Sequence, residues 1–150
     1  MALSCLVPYA LRTDAASIKS PNGKVALTFS VDETGRPVYE VTYKGQPVVL
    51  PSHLGLELAK DKHASKGKDE TDLMNGFVIV KEDTSAFDET WKPVWGETGT
   101  IRNHYVDYAA TLRQQREQRQ IIIRFRVYDD GVGLRYEFPQ QKELNYFLIK

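Results

Sequence analysis

The chain has 150 residues, with 20 Lys and Arg against 20 Asp and Glu and a formal net charge of +0. Hydrophobic residues make up 41%, aromatic residues 11% and charged residues 27%, a globular composition with enough apolar side chains for a core. The neutral balance argues against a general nucleic-acid binder and a polybasic membrane-surface protein, and no apolar run approaches the roughly 20 residues of a membrane helix.

Residues 2–11 are apolar, with no Lys or Arg ahead of them, and the small residues Ala15, Ala16 and Ser17 follow shortly after. This resembles the back half of a secretory signal whose basic start is missing. Residues 1–16 are therefore read as a signal-peptide remnant or a disordered N-terminus, and residues 17–150 as the domain. A frayed terminus or an irregular first strand is the plainer alternative. Cys5 is the single cysteine, which excludes an internal disulfide and a multi-cysteine zinc site.

From Ser17 the chain reads as strand, turn, strand. Pro21-Asn22-Gly23 is a turn, and Val25, Leu27, Phe29 and Val31 then alternate with smaller or polar residues, the period of a strand with one buried face. Asp32-Glu33-Thr34-Gly35 turns the chain into residues 38–43, rich in β-branched and aromatic residues. Lys44-Gly45-Gln46 turns it again before Val48, Val49 and Leu50. The first third thus predicts a β-meander.

Residues 54–58 alternate and are expected to form a short strand; residues 60–72 are charge-dense and read as an exposed loop. Residues 77–80 return to strand, and Glu82-Asp83 and Asp88-Glu89 read as solvated loop acids. Residues 107–120 contain good helix formers, but Val106, Tyr108, Ala110 and Leu112 alternate. A strand to about Leu112, followed by a polar turn over residues 114–118, fits the neighbours better. Ile121, Ile123, Phe125 and Val127 then define one apolar face. Asp129-Asp130-Gly131 is a hairpin turn in which Gly131 is expected at positive φ. Val132, Leu134, Tyr136 and Phe138 alternate in the next strand, and residues 145–149 begin another, one residue before Lys150. The whole pattern predicts an all-β antiparallel sandwich.

Familiar catalytic signatures are absent: no G-x-S-x-G, P-loop, H-E-x-x-H or G-x-G-x-x-G occurs. His53, His63 and His104 show no metal-ligand spacing, and Asp129-Asp130-Gly131 lacks the alternating oxygen ligands of a calcium loop. The unusual stretch is residues 87–97 followed by residues 101–105. It holds both tryptophans, Trp91 and Trp95, with Pro93 between them, so a regular helix or central strand is not expected there. Aromatic faces beside Glu97, Arg102, Asn103 and His104 suit a sugar, whose C–H face stacks on the ring while its hydroxyls take hydrogen bonds. The competing expectation is a structural plug, with a tryptophan packing the loop onto the sheet.

Several runs, in order, resemble the N-terminal domain of glycoside hydrolase family 97. They are SPNGKVALTFSVDETGRPVYEVTYKGQPVV at 20–49, LGLEL at 54–58, FDETWKPVWGE at 87–97, IRNHY at 101–105 and RFRVYDDGVGLRYEFPQQ at 124–141. The resemblance spans about residues 18–150, with the 60–71 loop poorly matched. It implies part of a super-sandwich like that of galactose mutarotase, packed on a (β/α)8 barrel that holds the catalytic carboxylates of an α-glucosidase or α-galactosidase. It also implies a calcium ion in the parent's active site, and a periplasmic or secreted bacterial enzyme acting on an α-glucan or other glycan. In the family, the glutamate that this domain offers to calcium lies beyond the point matching residues 145–150. No residue here is therefore assigned as catalytic or as a metal ligand, and no cofactor is assigned to the chain itself. The rest of the sandwich and the barrel are expected beyond Lys150. Trp91, Trp95, Glu97, Arg102, Asn103 and His104 stand as candidates for carbohydrate contact or a domain interface. A free-standing carbohydrate-binding sandwich, or a structural protein-interaction domain, remains as the alternative.

Overall fold

The computed structural model describes residues 15–59, 72–144 and 147–150. The apolar N-terminal stretch, Cys5, the 60–71 loop and His63 lie outside the described residues. Among the described residues, eight strands form two four-stranded antiparallel meanders. The first sheet holds β1 (Ala16–Lys19), β2 (Val25–Val31), β3 (Pro37–Tyr43) and β4 (Gln46–His53) in chain order. The second holds β5 (Phe77–Trp91), β6 (Ile101–Gln114), β7 (Gln120–Tyr128) and β8 (Val132–Glu137), also in chain order. Ala16, placed above with the N-terminal segment, is the first residue of β1.

Alternation decides which faces meet. Leu27 and Phe29 of β2, and Ile121, Ile123, Phe125 and Val127 of β7, are fully buried, while their sequence neighbours on both strands are only partly buried. Facing sheets bury these two apolar sets against each other, each large side chain contributing roughly 1.5–3 kcal/mol. Aromatic rings fill the centre. Phe29 lies 5.9 Å from Tyr108 and 5.6 Å from Phe125, and Tyr39 lies 5.9 Å from Phe125, all in tilted arrangements that suit the ring quadrupole.

One end of the sandwich is stitched by backbone. In the β2–β3 turn the Thr34 and Gly35 carbonyls accept from the Gly76 and Phe77 N–H groups, at 3.1 and 2.9 Å. Gly76 in turn accepts from the Gln115 N–H, in the β6–β7 turn, at 2.9 Å. Gly35 has φ +76°, and a Cβ there would lie 2.6–2.7 Å from the backbone of Gly76 and Phe77. Only glycine fits both conditions.

Several expectations are corrected. Residues 54–58 form no named strand; Leu56 and Leu58 make isolated bridges to Leu73 and Ile149. Of the strand predicted at 145–149, Asn145 and Tyr146 lie outside the described residues, and Ile149 makes the bridge to Leu58. β8 stops at Glu137, before Phe138. The Asp129–Gly131 turn forms, closed by the Tyr128 N–H donating to the Gly131 carbonyl at 2.8 Å, but Gly131 is not among the residues at positive φ. At β3–β4, by contrast, Lys44 and Gly45 have φ 50° and 79°, the two positive angles of a type I′ hairpin. The largest difference is β5. It runs 15 residues from Phe77 to Trp91, so Glu82, Asp83, Asp88 and Glu89 are strand residues, not loop acids.

Candidate functional site

β5 and β6 pair from Phe77↔Gln114 to Trp91↔Ile101. β7 pairs with β6 only as far as Tyr105↔Tyr128. Residues 88–91 and 101–104 therefore continue beyond the last β7 pairing as a two-stranded arm. The segment of residues 92–100 closes its tip, and Pro93 falls just past the end of β5. A ribbon of two strands has no second layer to bury it, and residues 80–92 are exposed throughout.

The tip exposes apolar side chains even so. Val94 is 100% exposed and Trp95 89% exposed, with Trp91 at 48%. Trp95 therefore does not act as the structural plug, while Trp91, at the end of β5, keeps about half of its surface exposed. Exposed apolar side chains of this size fit a surface that meets another body.

Pairing also settles which candidates share a face. Cross-strand partners in an antiparallel ladder point the same way and successive residues alternate. Trp91 with Ile101, Glu89 with Asn103, and Phe87 with Tyr105 thus lie on one face. Thr90 with Arg102, and Asp88 with His104, lie on the other. The structure therefore separates Trp91 and Asn103 from Arg102 and His104, while Trp95 and Glu97 sit exposed in the tip segment. The six candidates do not converge on one pocket.

The two faces differ in chemistry. On the Arg102 face, Arg102 forks onto Asp88, with Nε donating to Oδ1 at 2.8 Å and Nη2 to Oδ2 at 2.6 Å. His104 Nε2 lies 3.9 Å from the same carboxylate. The Arg102 hydrogen bond holds the Asp88 carboxyl below its usual range and the guanidinium above its own. Arg102 thus ties the two strands of the arm together, with its side chain still 59% exposed. On the Trp91 face a row of rings leads back to the sandwich. Phe87 stacks on Tyr105 at 5.1 Å, Tyr105 meets Tyr128 at 5.1 Å, and the Arg126 guanidinium sits 4.7 Å over the Tyr105 ring.

The sequence reading missed a further polar contact. Tyr108, in the core, donates its hydroxyl to Glu82 of β5; burial, then this hydrogen bond, raise the phenol well above its ordinary pKa. Glu82 is thus a structural acceptor. The only signal available was the β6 alternation that turned Tyr108 inward. Among the described residues, no group of three or more His, Cys, Asp or Glu side chains is placed to hold a metal ion.

The profile of the glycosyl-hydrolase 97 N-terminal family matches residues 18–150. Among solved structures, glycoside hydrolase family 97 enzymes from Pseudoalteromonas sp. strain K8, one in complex with panose and one with acarbose, are similar at 30% identity and a TM-score of 0.76. Each match covers 89% of this chain and 19% of the enzyme. A β-arabinopyranosidase shares the fold at 20% identity and a TM-score of 0.71, over 85% of this chain and 18% of its own. The chain thus spans about a fifth of the length of the enzymes it matches. With the profile running from Ile18 to Lys150 and the two-sheet architecture agreeing with it, the chain belongs to the glycosyl-hydrolase 97 N-terminal family, as a non-catalytic β-sandwich domain.

Proposed function

We propose that this domain seats and orients the catalytic portion of a glycoside hydrolase, and that the β5–β6 arm is the contact. The observation that carries the reading is the exposure of Val94 and Trp95 at the tip of an arm that stands clear of the sandwich. The occupant is the remainder of the same enzyme, expected as a (β/α)8 barrel. About four-fifths of each similar family 97 enzyme lies outside the matched region. Burying Trp91, Val94 and Trp95 against that partner would also anchor the interface with large rigid aromatics.

Two of the similar structures show a family 97 enzyme in complex with panose and with acarbose, which supports an α-glucan-type substrate for the complete enzyme. Calcium dependence and periplasmic or secreted location follow from the family resemblance and the signal-like residues 2–11. Carbohydrate would reach this domain, if at all, on the Trp91 and Asn103 face or at Trp95 and Glu97. Arg102 and His104 stay with the Asp88 pair.

The test uses a chromogenic α-glucoside. The chain alone should give no turnover. In the complete enzyme, Trp95→Ala with Val94→Ser should lower kcat/KM by at least tenfold while the domain stays folded. Unchanged activity would contradict the arm's role, and turnover dependent on a carboxylate of residues 1–150 would contradict the non-catalytic reading. Titration of the chain with panose distinguishes direct glycan binding. A saturable tryptophan fluorescence change lost in Trp91→Ala and Trp95→Ala would favour it over an interface role.

A further inference from the structure

The outward face of the second sheet carries a charged ladder across β6, β7 and β8. Asp107 of β6 is only 8% exposed. It accepts from Arg124 Nη1 and from Arg126 Nε, the latter at 3.3 Å. On the other side, Glu137 of β8 accepts from Arg124 Nε at 2.7 Å, from Arg124 Nη2 at 3.4 Å and from Arg135 Nη2. Three guanidinium groups thus share two carboxylates, leaving the ladder with one positive charge in excess.

The excess sits beside a gap. In the β7–β8 register, Arg126 faces Gly133 and Arg124 faces Arg135. With no side chain at Gly133, a cavity of about 160 Å³ opens there, lined by Arg124, Arg126, Tyr128, Gly133, Leu134 and Arg135. A Cβ on Gly133 would meet nothing within 4 Å, so the space is open and not needed for packing. The two outer guanidinium groups are held in place from behind, Arg126 by Asp107 and the Tyr105 ring and Arg135 by Glu137. Both keep exposed side chains, at 42% and 60%.

We propose that this gap is a binding site for the carboxylate of a small anion, held between Arg126 and Arg135 above Gly133. A guanidinium presents planar N–H forks that match a carboxylate's two oxygens. The carboxylate would supply the negative charge the ladder lacks. Arg126 and Arg135 are each already hydrogen-bonded to a carboxylate, which lowers the entropic cost of fixing them on a ligand. The cavity is smaller than the roughly 300–1,000 Å³ of a pocket for a whole drug-sized ligand. It therefore takes the carboxylate end of a ligand such as a sugar acid, with the rest of the molecule lying towards Tyr128. The site lies on β7–β8 and does not involve the tip of the arm, so it stands or falls independently of the arm's role.

The experiment follows the arginine Nε–Hε resonances of the complete chain by NMR during titration with glucuronate, acetate, glucose, inorganic phosphate and sodium chloride. Glucuronate and acetate should shift Arg126 and Arg135 saturably, and glucose and chloride should not. Arg135→Gln, at an exposed position, and Gly133→Val, a β-branched residue filling open space on a strand, should each weaken glucuronate at least tenfold with the backbone spectrum otherwise preserved. No saturable shift, an equal shift with chloride, tighter binding of phosphate than of either carboxylate, or unchanged affinity in either variant would overturn the proposal.

Discussion

Asp32 is where one side chain does most to hold a turn. Its Oδ1 accepts from the Thr34 N–H at 2.8 Å, the Thr34 hydroxyl at 2.6 Å and the Arg36 N–H at 3.0 Å. Its Oδ2 meets Arg36 Nε at 3.1 Å and His53 Nε2 at 3.2 Å. The Thr34 hydroxyl first, then the Arg36 and Thr34 amides, drive its carboxyl far below the usual range against the cost of burial. A carboxyl depressed in the folded state adds stability above its unfolded pKa of about 3.9, and loses it as pH falls through the folded value. Asp32→Asn should therefore cost about 1–2 kcal/mol at neutral pH. The gap to the parent protein should narrow steadily below about pH 4, as read from urea melts. At Gly35 the limit is steric. Gly35→Ala forces a Cβ into the Gly76 backbone at positive φ and should cost about 3 kcal/mol, where Gly23→Ala, with open space around it, should cost less.

At the scale of elements, core and arm should separate cleanly on mutation. Phe125→Ala removes a fully buried ring that touches Phe29, Tyr39 and Tyr108 and should cost about 3–5 kcal/mol. Trp95→Ala, at an exposed tip, should change the stability of the chain by no more than about 0.5 kcal/mol; a large loss would show that the arm folds back onto the sandwich. The same contrast explains what the sequence made legible. β2 and β7 were readable because burial on one face writes a two-residue period into Val25–Val31 and Gln120–Tyr128. β5 was not readable past Val80. Residues 80–91 are exposed on both faces, so Lys81–Glu89 carries no alternation, and the strand is imposed by the β6 backbone opposite. The candidate site was legible in its residue types: both tryptophans, Pro93 and the flanking polar residues do lie on one arm. Its geometry was not, because the division of Trp91 and Asn103 from Arg102 and His104 depends on the register of β5 against β6. The Arg126–Gly133 gap was equally hidden, since it depends on β7–β8 register.

The described residues form a two-sheet sandwich with a packed aromatic centre and an exposed arm. Its sheets meet through Phe29, Tyr39, Tyr108 and Phe125, and backbone bonds through Gly76 tie the strand turns at one end. The arm leaves the sandwich on a long paired ribbon, stiffened by the Arg102–Asp88 fork and the Phe87–Tyr105 stack. The chain matches about a fifth of a family 97 enzyme, and the proposed role for the arm is to meet the rest of it. Hydrogen exchange by mass spectrometry over residues 87–103, compared between the isolated chain and the complete enzyme, tests this most directly. The account predicts at least tenfold slower exchange of this segment in the complete enzyme. Equal exchange in the two, with the β2 and β7 core equally protected in both, would contradict it.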